Sequence, residues 1–239
     1  VKERGLTARL TGPLSRRFFL VPLQVHQDAQ IHVHSAFDSV AHFISEVVES
    51  FAEHAAPREV LVIKHHPMDR GYFDYTSLIR KLTARHGLQG RCFYIHDQHL
   101  PTLLRHARGV VVVNSTVGLS ALFHRAPVKV CGEAMYDMQG LTFQGPLDRF
   151  WRAALTSRPN RRLFENFRRY LVQHSQLNGS FYKRLPNSAP ATGMRWTEKV
   201  APRQMEPAPE TAAAVHPSQV PLQTGPAVGG TLRDIHKTT

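Results

Sequence analysis

Short apolar runs alternate with amphipathic stretches along the first 175 residues. Phe18–Gln24 (FFLVPLQ) predicts a strand, and Phe37–His54 carries Val40, Phe43, Ile44, Val47, Val48 and Phe51 at helical spacing. The same pairing recurs. Val60–Ile63 is a fully apolar run of the kind a buried parallel strand needs, and Tyr75–His86 predicts a helix that ends at Gly87. Further strands are expected at Cys92–Ile95, Gly109–Val113 and Val128–Cys131, and helices at Leu100–His106, Ser115–His124, Pro146–Leu155 and Arg161–His174. There is no tandem repeat. Strands alternating with helices predict an α/β fold, a parallel sheet with right-handed crossovers and flanking helices.

The pattern stops near Pro186. From there to Thr239 the chain holds eight of its sixteen prolines and little apolar periodicity, so residues 186–239 are expected to form a disordered Pro/Ala-rich tail. The chain of 239 residues has 30 Lys and Arg against 18 Asp and Glu, a net charge of +12. The tail contributes five basic and four acidic residues, or +1, which leaves +11 on residues 1–185. That surplus favours an anionic partner: nucleotide, nucleic acid, acidic glycan or anionic membrane. The two cysteines, Cys92 and Cys131, sit in apolar β-like runs, which argues against a disulfide framework or a cysteine metal cluster and suits a reducing, cytoplasmic setting. No apolar stretch reaches the roughly 18–20 residues of a membrane helix, and residues 1–17 lack a secretory apolar centre. The chain starts at Val and enters its first strand almost at once, so further upstream sequence is expected and residues 1–16 read as a remnant linker.

In an open parallel sheet, ligands bind beyond the carboxyl ends of the strands. After Val60–Ile63 come Lys64, His65, His66 and Pro67. On an extended backbone Lys64 and His66 share a side, and Pro67 stops the strand so that both enter the crevice, where an ammonium and an imidazole donor suit a phosphate. A plain His-Pro turn is the alternative. After Val113 come Asn114, Ser115, Thr116, Val117 and Gly118; Asn114 or Ser115 can cap a helix, and Gly118 permits close approach of a ligand or a neighbouring backbone. An ordinary helix cap is again the alternative. Asp28, in the loop after the opening strand, is a candidate base or nucleophile, or else a turn residue.

His32 and His34 would share one face of a strand, with His26 nearby, but no clear fourth ligand accompanies them and no metal site is expected. Glu133, after the last strand, is placed to bind a ribose or to lie on the surface. Arg161, Arg162, Arg168 and Arg169 surround Leu163, Phe164, Phe167 and Leu171 as the wet face of a helix, which an anionic membrane could also use.

The ordered set PLQ…D…Q…HS (Pro22 to Ser35), KHHP (Lys64–Pro67), NSTVGLSAL (Asn114–Leu122) and NGSFY (Asn178–Tyr182) resembles the bacterial capsule polysaccharide biosynthesis and export family, its S-type Kps branch in particular. The similarity runs from about Arg17 to Leu185. It implies that residues 17–185 resemble the C-terminal, nucleotide-binding half of a GT-B glycosyltransferase, with a Rossmann-like sheet. The implied reaction takes β-Kdo from CMP-Kdo to a lysophosphatidylglycerol acceptor and starts the poly-Kdo capsule linker. The implied nucleotide-binding residues are Lys64, His66, Pro67, Asn114, Ser115, Thr116, Gly118 and Glu133. His66 and Ser115 are similar to the elements by which CMP-sialic-acid transferases hold their donor, so no metal or other cofactor is implied. Asp28 is the implied catalytic carboxylate of a retaining transfer. A CMP-sugar donor and a glycolipid acceptor are the implied partners, with the inner-membrane surface and capsule export proteins beside them.

A GT-B enzyme has two Rossmann-like domains, and only the second is resembled here. A second reading is therefore a non-catalytic CMP-binding remnant or an interaction module of a capsule assembly complex. Nucleic-acid binding has net charge alone in its support, with no recognition motif and no stacking aromatics in a basic strand, and is not expected.

Overall fold

Successive side chains of a strand point to opposite faces of its sheet, so a strand covered on both sides needs apolar residues throughout. The computed structural model, which describes residue 3 and residues 5–175, has five such strands: β1 Phe18–Pro22, β2 Val60–Lys64, β3 Cys92–Ile95, β4 Gly109–Val112 and β5 Val128–Val130. All pair in parallel, in the order β3-β2-β1-β4-β5. The NGSFY motif and the expected tail lie outside the described residues.

Parity sorts the core into two layers. Phe19, Val21, Leu61, Ile63 and Val111 face one side, where they meet Phe43, Val47 and Phe51 of helix α3 (Val40–His54), Ile79 and Leu82 of α4 (Thr76–Arg85), and Phe150 and Trp151 of α7 (Leu147–Ala153). Phe18, Leu20, Val60, Val62, Val110 and Val112 face the other, against Leu103 and Leu104 of α5 (Leu100–His106) and Ala121 and Leu122 of α6 (Val117–Phe123). Helices that follow β1 and β2 thus cover one face, and those that follow β3 and β4 the other. That arrangement is a doubly wound sheet whose winding reverses between β1 and β4.

Several boundaries differ from the expected ones for visible reasons. Helix α3 starts at Val40 rather than Phe37 because the Ser39 hydroxyl accepts the His42 N–H at 3.1 Å, a side-chain N-cap. Within the expected linker at 1–16, the described residues pack on the sheet. Helix α1 (Leu6–Thr11) buries Leu6 and Leu10 in the second layer, and the Glu3 carboxylate accepts the His96 and Asp97 N–H groups at 2.7 and 3.1 Å. The stretch with His32 and His34 is not a strand either: Ala29–Val33 is a short helix, α2, capped by Asp28. Helix α8 (Arg161–His174) has the expected wet face, and its Leu163, Phe164 and Phe167 rest half-buried on the second layer.

Gly118 opens α6 to a side chain. A Cβ there would lie 2.2 Å from the Tyr136 Oη and 2.5 Å from its Cζ. Tyr136 is buried and donates to the Ser115 carbonyl, so it cannot simply swing away. Gly118→Ala is expected to lower stability by about 1–3 kcal/mol, as overpacked cores do, in denaturant unfolding; an unchanged midpoint would contradict this packing.

At the carboxyl end of β2, His65 is buried with its Nδ1 2.6 Å from the Tyr94 Oη. Burial first, and then the neighbouring His96, push its imidazole below the ordinary value of 6.5. The unfolded chain therefore takes up this proton at a higher pH than the folded chain, and stability is lost as pH falls from about 6.5 downward. The melting temperature is expected to drop between pH 7.5 and 5.5, and less steeply in His65→Phe. Equal slopes would show that His65 does not carry the effect.

Candidate functional site

The reversal of winding leaves the loop after β1 and the loop after β4 uncovered between diverging helices. A cleft of about 370 Å³ lies there. The β1 loop lines it with Gln24, Val25 and Asp28, and Gln30 of α2 joins them. Asn114, Ser115 and Thr116 come from the β4 loop, His66 from the end of β2, and Glu133, Ala134, Met135 and Tyr136 from the segment after β5. Segments that follow β1, β2, β4 and β5 thus meet at the switch point, the usual ligand position in such sheets.

A polar network joins the two central loops. Gln24 is buried, and its amide donates to Asp28 Oδ2 and to Asn114 Oδ1, both at 2.9 Å. Its Oε1 accepts the Asn114 N–H at 3.3 Å. Asn114 in turn donates from Nδ2 to the Gln30 and His34 carbonyls at 2.8 and 3.3 Å. The second Asp28 oxygen, Oδ1, accepts the Gln30 N–H at 3.0 Å and so caps α2. Asp28 enters the cleft half-buried with both oxygens oriented, a carboxylate fixed in direction.

His66 lines the same cleft as Asp28. Its Nδ1 accepts the Met68 N–H at 3.2 Å, which leaves the proton of the neutral ring on Nε2 as a donor. Ser115 has a comparable arrangement: its Oγ accepts the Val117 N–H at 3.2 Å, so its own hydrogen is available to a ligand. Glu133 is exposed, with His34 Nδ1 3.2 Å from its Oε2 and its N–H on the His34 carbonyl at 2.8 Å. The cleft thus holds donors from His66 and Ser115 together with two carboxylates, Asp28 and Glu133. Chemically, this set can hold an anion at one end and a hydroxyl-bearing group at the other.

Six of the residues expected from the sequence therefore share the cleft: Asp28, His66, Asn114, Ser115, Thr116 and Glu133. Three do not line it. Lys64 is 7 % exposed, and its ammonium donates to the His96 carbonyl at 3.0 Å and the His65 carbonyl at 3.4 Å. Burial, followed by the charge of Arg70, lowers its pKa from the ordinary lysine range. The alternation that was to place Lys64 beside His66 ends with the strand at Lys64, where the carbonyls of His65 and of His96, just after β3, hold its ammonium. Pro67 starts a 3₁₀ turn, Pro67–Asp69, and supports His66 from behind. Gly118 meets Tyr136 and not the cleft. Asn114 does not cap α6; its side chain bridges to the β1 loop. The three histidines after β1 part company, with His26 on Asp69, His34 on Glu133 and His32 in the last turn of α2.

Gln24 and Tyr136 are the residues that pattern reading passed over as site residues. Gln24 sits inside an otherwise apolar run, where a polar side chain at a strand end is itself a signal, since a buried amide needs partners. Nothing local marks Tyr136.

Known proteins place this cleft in context. "Capsule polysaccharide export protein KpsS" of Escherichia coli is 47 % identical over 182 residues, covering 76 % of this chain and 46 % of that protein. "Capsule polysaccharide modification protein LipB" of Neisseria meningitidis serogroup B is 46 % identical over 186 residues, 77 % of this chain and 44 % of that one. The chain thus spans less than half the length of these curated relatives. Among solved structures, "Thermosulfurimonas dismutans KpsC, beta Kdo 2,7 transferase" matches with 24 % identity and a TM-score of 0.39, over 62 % of this chain and 52 % of that one. Residues 1–182 match the sequence profile of the family described as "Capsule polysaccharide biosynthesis protein", and with three-quarters of its length inside that profile the chain belongs to this family.

Proposed function

We propose that this domain holds the CMP-linked sugar donor, CMP-Kdo, of a retaining β-Kdo transfer in capsule polysaccharide assembly. The observation that carries the proposal is the meeting of Asp28 with His66 and Ser115 across one cleft at the switch point. The resemblance of the motifs supplies the choice of CMP and Kdo. On this reading the Nε2–H of His66 and the Ser115 hydroxyl, with Thr116 beside it, take the donor phosphate, and Glu133 takes the ribose.

The proposed chemistry runs through two displacements at the anomeric carbon. A carboxylate oxygen of Asp28 bonds to the anomeric carbon as the bond from that carbon to the phosphate oxygen breaks, and CMP leaves with the electron pair. Its growing negative charge falls on donors already aimed at it, the kind of preorganised stabilisation that is usually the largest catalytic term. An acceptor hydroxyl then attacks the same carbon, Asp28 departs as carboxylate, and the hydroxyl proton passes to solvent. Two displacements at one carbon return the original configuration. The acceptor on this reading is lysophosphatidylglycerol. Association with the inner-membrane surface, and with capsule export proteins, belongs to the same proposal; among the described residues no helix is long and apolar enough to cross a membrane.

A second reading is favoured by one feature: the residues lining the cleft all belong to the loops and helix turns around one edge of a single sheet. On it, the domain binds CMP and leaves transfer to other chain segments.

A ligand that binds the folded state raises its melting temperature by mass action. CMP, with UMP and AMP as controls, is expected to stabilise the chain, and His66→Ala is expected to remove that stabilisation. No shift with CMP would overturn the donor-site proposal.

Asp28→Asn keeps the N-cap oxygen and removes the nucleophile. It should leave CMP binding within about twofold and lower transfer by at least about a thousandfold, the scale on which removal of a catalytic group acts. The assay is Kdo transfer to lysophosphatidylglycerol by the domain joined to the remaining length of a relative. Full turnover by Asp28→Asn would sink the nucleophile, whereas CMP binding with no transfer by the unmutated fusion would favour the second reading.

A further inference from the structure

Asp69 has no part in the chemistry described so far, yet it is one of the most deeply buried charged residues among those described, 1 % exposed. It ends the 3₁₀ turn that follows His66. Its N–H donates to the His66 carbonyl at 3.1 Å, and its own carbonyl accepts from Tyr72 and Phe73 at 3.0 Å each. A carboxylate at such depth is costly unless it is hydrogen-bonded. Both of its oxygens go to one residue of a different loop: Oδ2 accepts the His26 N–H, and Oδ1 meets His26 Nδ1, each at 2.8 Å.

Phe73 holds the same ring by its face, with centroids 4.6 Å apart and planes 21° from parallel. His26 lies between Val25 and Asp28, which both line the cleft. The Asp28 N–H donates to the Val25 carbonyl at 3.0 Å, so Val25–Asp28 is a closed turn suspended from His26. One buried carboxylate thereby ties the turn that carries Asp28 to the turn that carries His66.

We propose that Asp69, acting through His26, is a positioning residue that sets the separation of Asp28 from His66 across the cleft, and so the fit of a nucleotide phosphate between them. The proposal rests on the donor-site reading for its ligand and adds two residues that do not touch it. A displaced group of about 1 Å is enough to cost a site much of its affinity or rate.

The test compares His26→Ala with His26→Asn, because an Asn side-chain N–H stands where the Nδ1–H of histidine stands and restores the donor to Asp69 without an imidazole. Asp69→Ala is a third variant, and the His26 pair decides the matter if it does not fold. Two quantities are read on the whole chain: hydrogen exchange of the Gln30 N–H, which Asp28 caps, and CMP affinity by calorimetry. In His26→Ala the Gln30 amide should exchange about tenfold faster and CMP should bind about tenfold more weakly, with both values within about twofold of wild type in His26→Asn. Unchanged Gln30 exchange in His26→Ala would overturn the proposal. So would a His26→Asn variant as impaired as His26→Ala, since the imidazole itself would then be the working group. A wild-type chain that does not bind CMP rejects the donor-site reading alone, and the exchange of Gln30 then upholds or overturns the tie by itself.

Discussion

The pairing of β1 with β4 is the constraint on which the site depends. Phe19 stands opposite Gly109 and Leu20 opposite Val110, and beyond this short seam the chain leaves β1 toward one face and β4 toward the other. The gap between the departing helices is the cleft. A slip of one residue would turn every apolar side chain of the strand to the wrong layer, and it would also carry Asn114 away from Gln24. Gly109 helps to fix the register, because a Cβ there would meet the Phe150 ring at 2.8 Å.

Above the seam the interactions are polar, and below it they are almost wholly apolar. Phe19, Phe51 and Trp151 meet edge to face, with centroids 4.9 Å apart for Phe19 and Trp151 and 5.3 Å apart for Phe51 and Trp151. Such pairs hold a layer rigid and add to its area burial. The indole Nε1–H reaches the Ser50 hydroxyl at 2.8 Å, so even this large ring leaves no donor unmet. The loops at the carboxyl edge inherit their positions from that rigid base and can devote their side chains to one another and to a ligand.

The strands and most of the helices were legible because periodicity reports burial, and burial on both faces is what a parallel sheet demands. Cys92–Ile95 and Arg161–His174 have the expected bounds. The loops were less legible. Ala29–Val33 (AQIHV) buries only Ile31, too little for a helical period to show, and its helix is capped by Asp28, a local bond that outweighs the strand-like spacing of His32 and His34. Helix α1 was missed because only Leu6 and Leu10 carry its burial, too few for a period to emerge. At the site, His66 and Ser115, where the chain has left the strand, do line the cleft. Residue type misled at Lys64, whose charge pointed to phosphate while nearby carbonyls hold its ammonium. Gly118 showed a true need for space, but the occupant is a tyrosine. Contacts between loops distant in sequence, such as Gln24 with Asn114, have no signature in either segment taken alone.

Three partners fix the direction of the Gln24 amide. Its nitrogen faces two acceptors, Asp28 Oδ2 and Asn114 Oδ1, while its oxygen faces a donor. Glutamate has nearly the same shape and lies a single base change away. At this position it would turn the nitrogen into a second carboxylate oxygen, set against the Asp28 charge at hydrogen-bond distance with little water to screen it. A substitution that most surfaces absorb without effect would here drive apart the two loops that the amide joins. The two loops stay joined at residue 24 because its side chain is neutral and can donate to both of them at once.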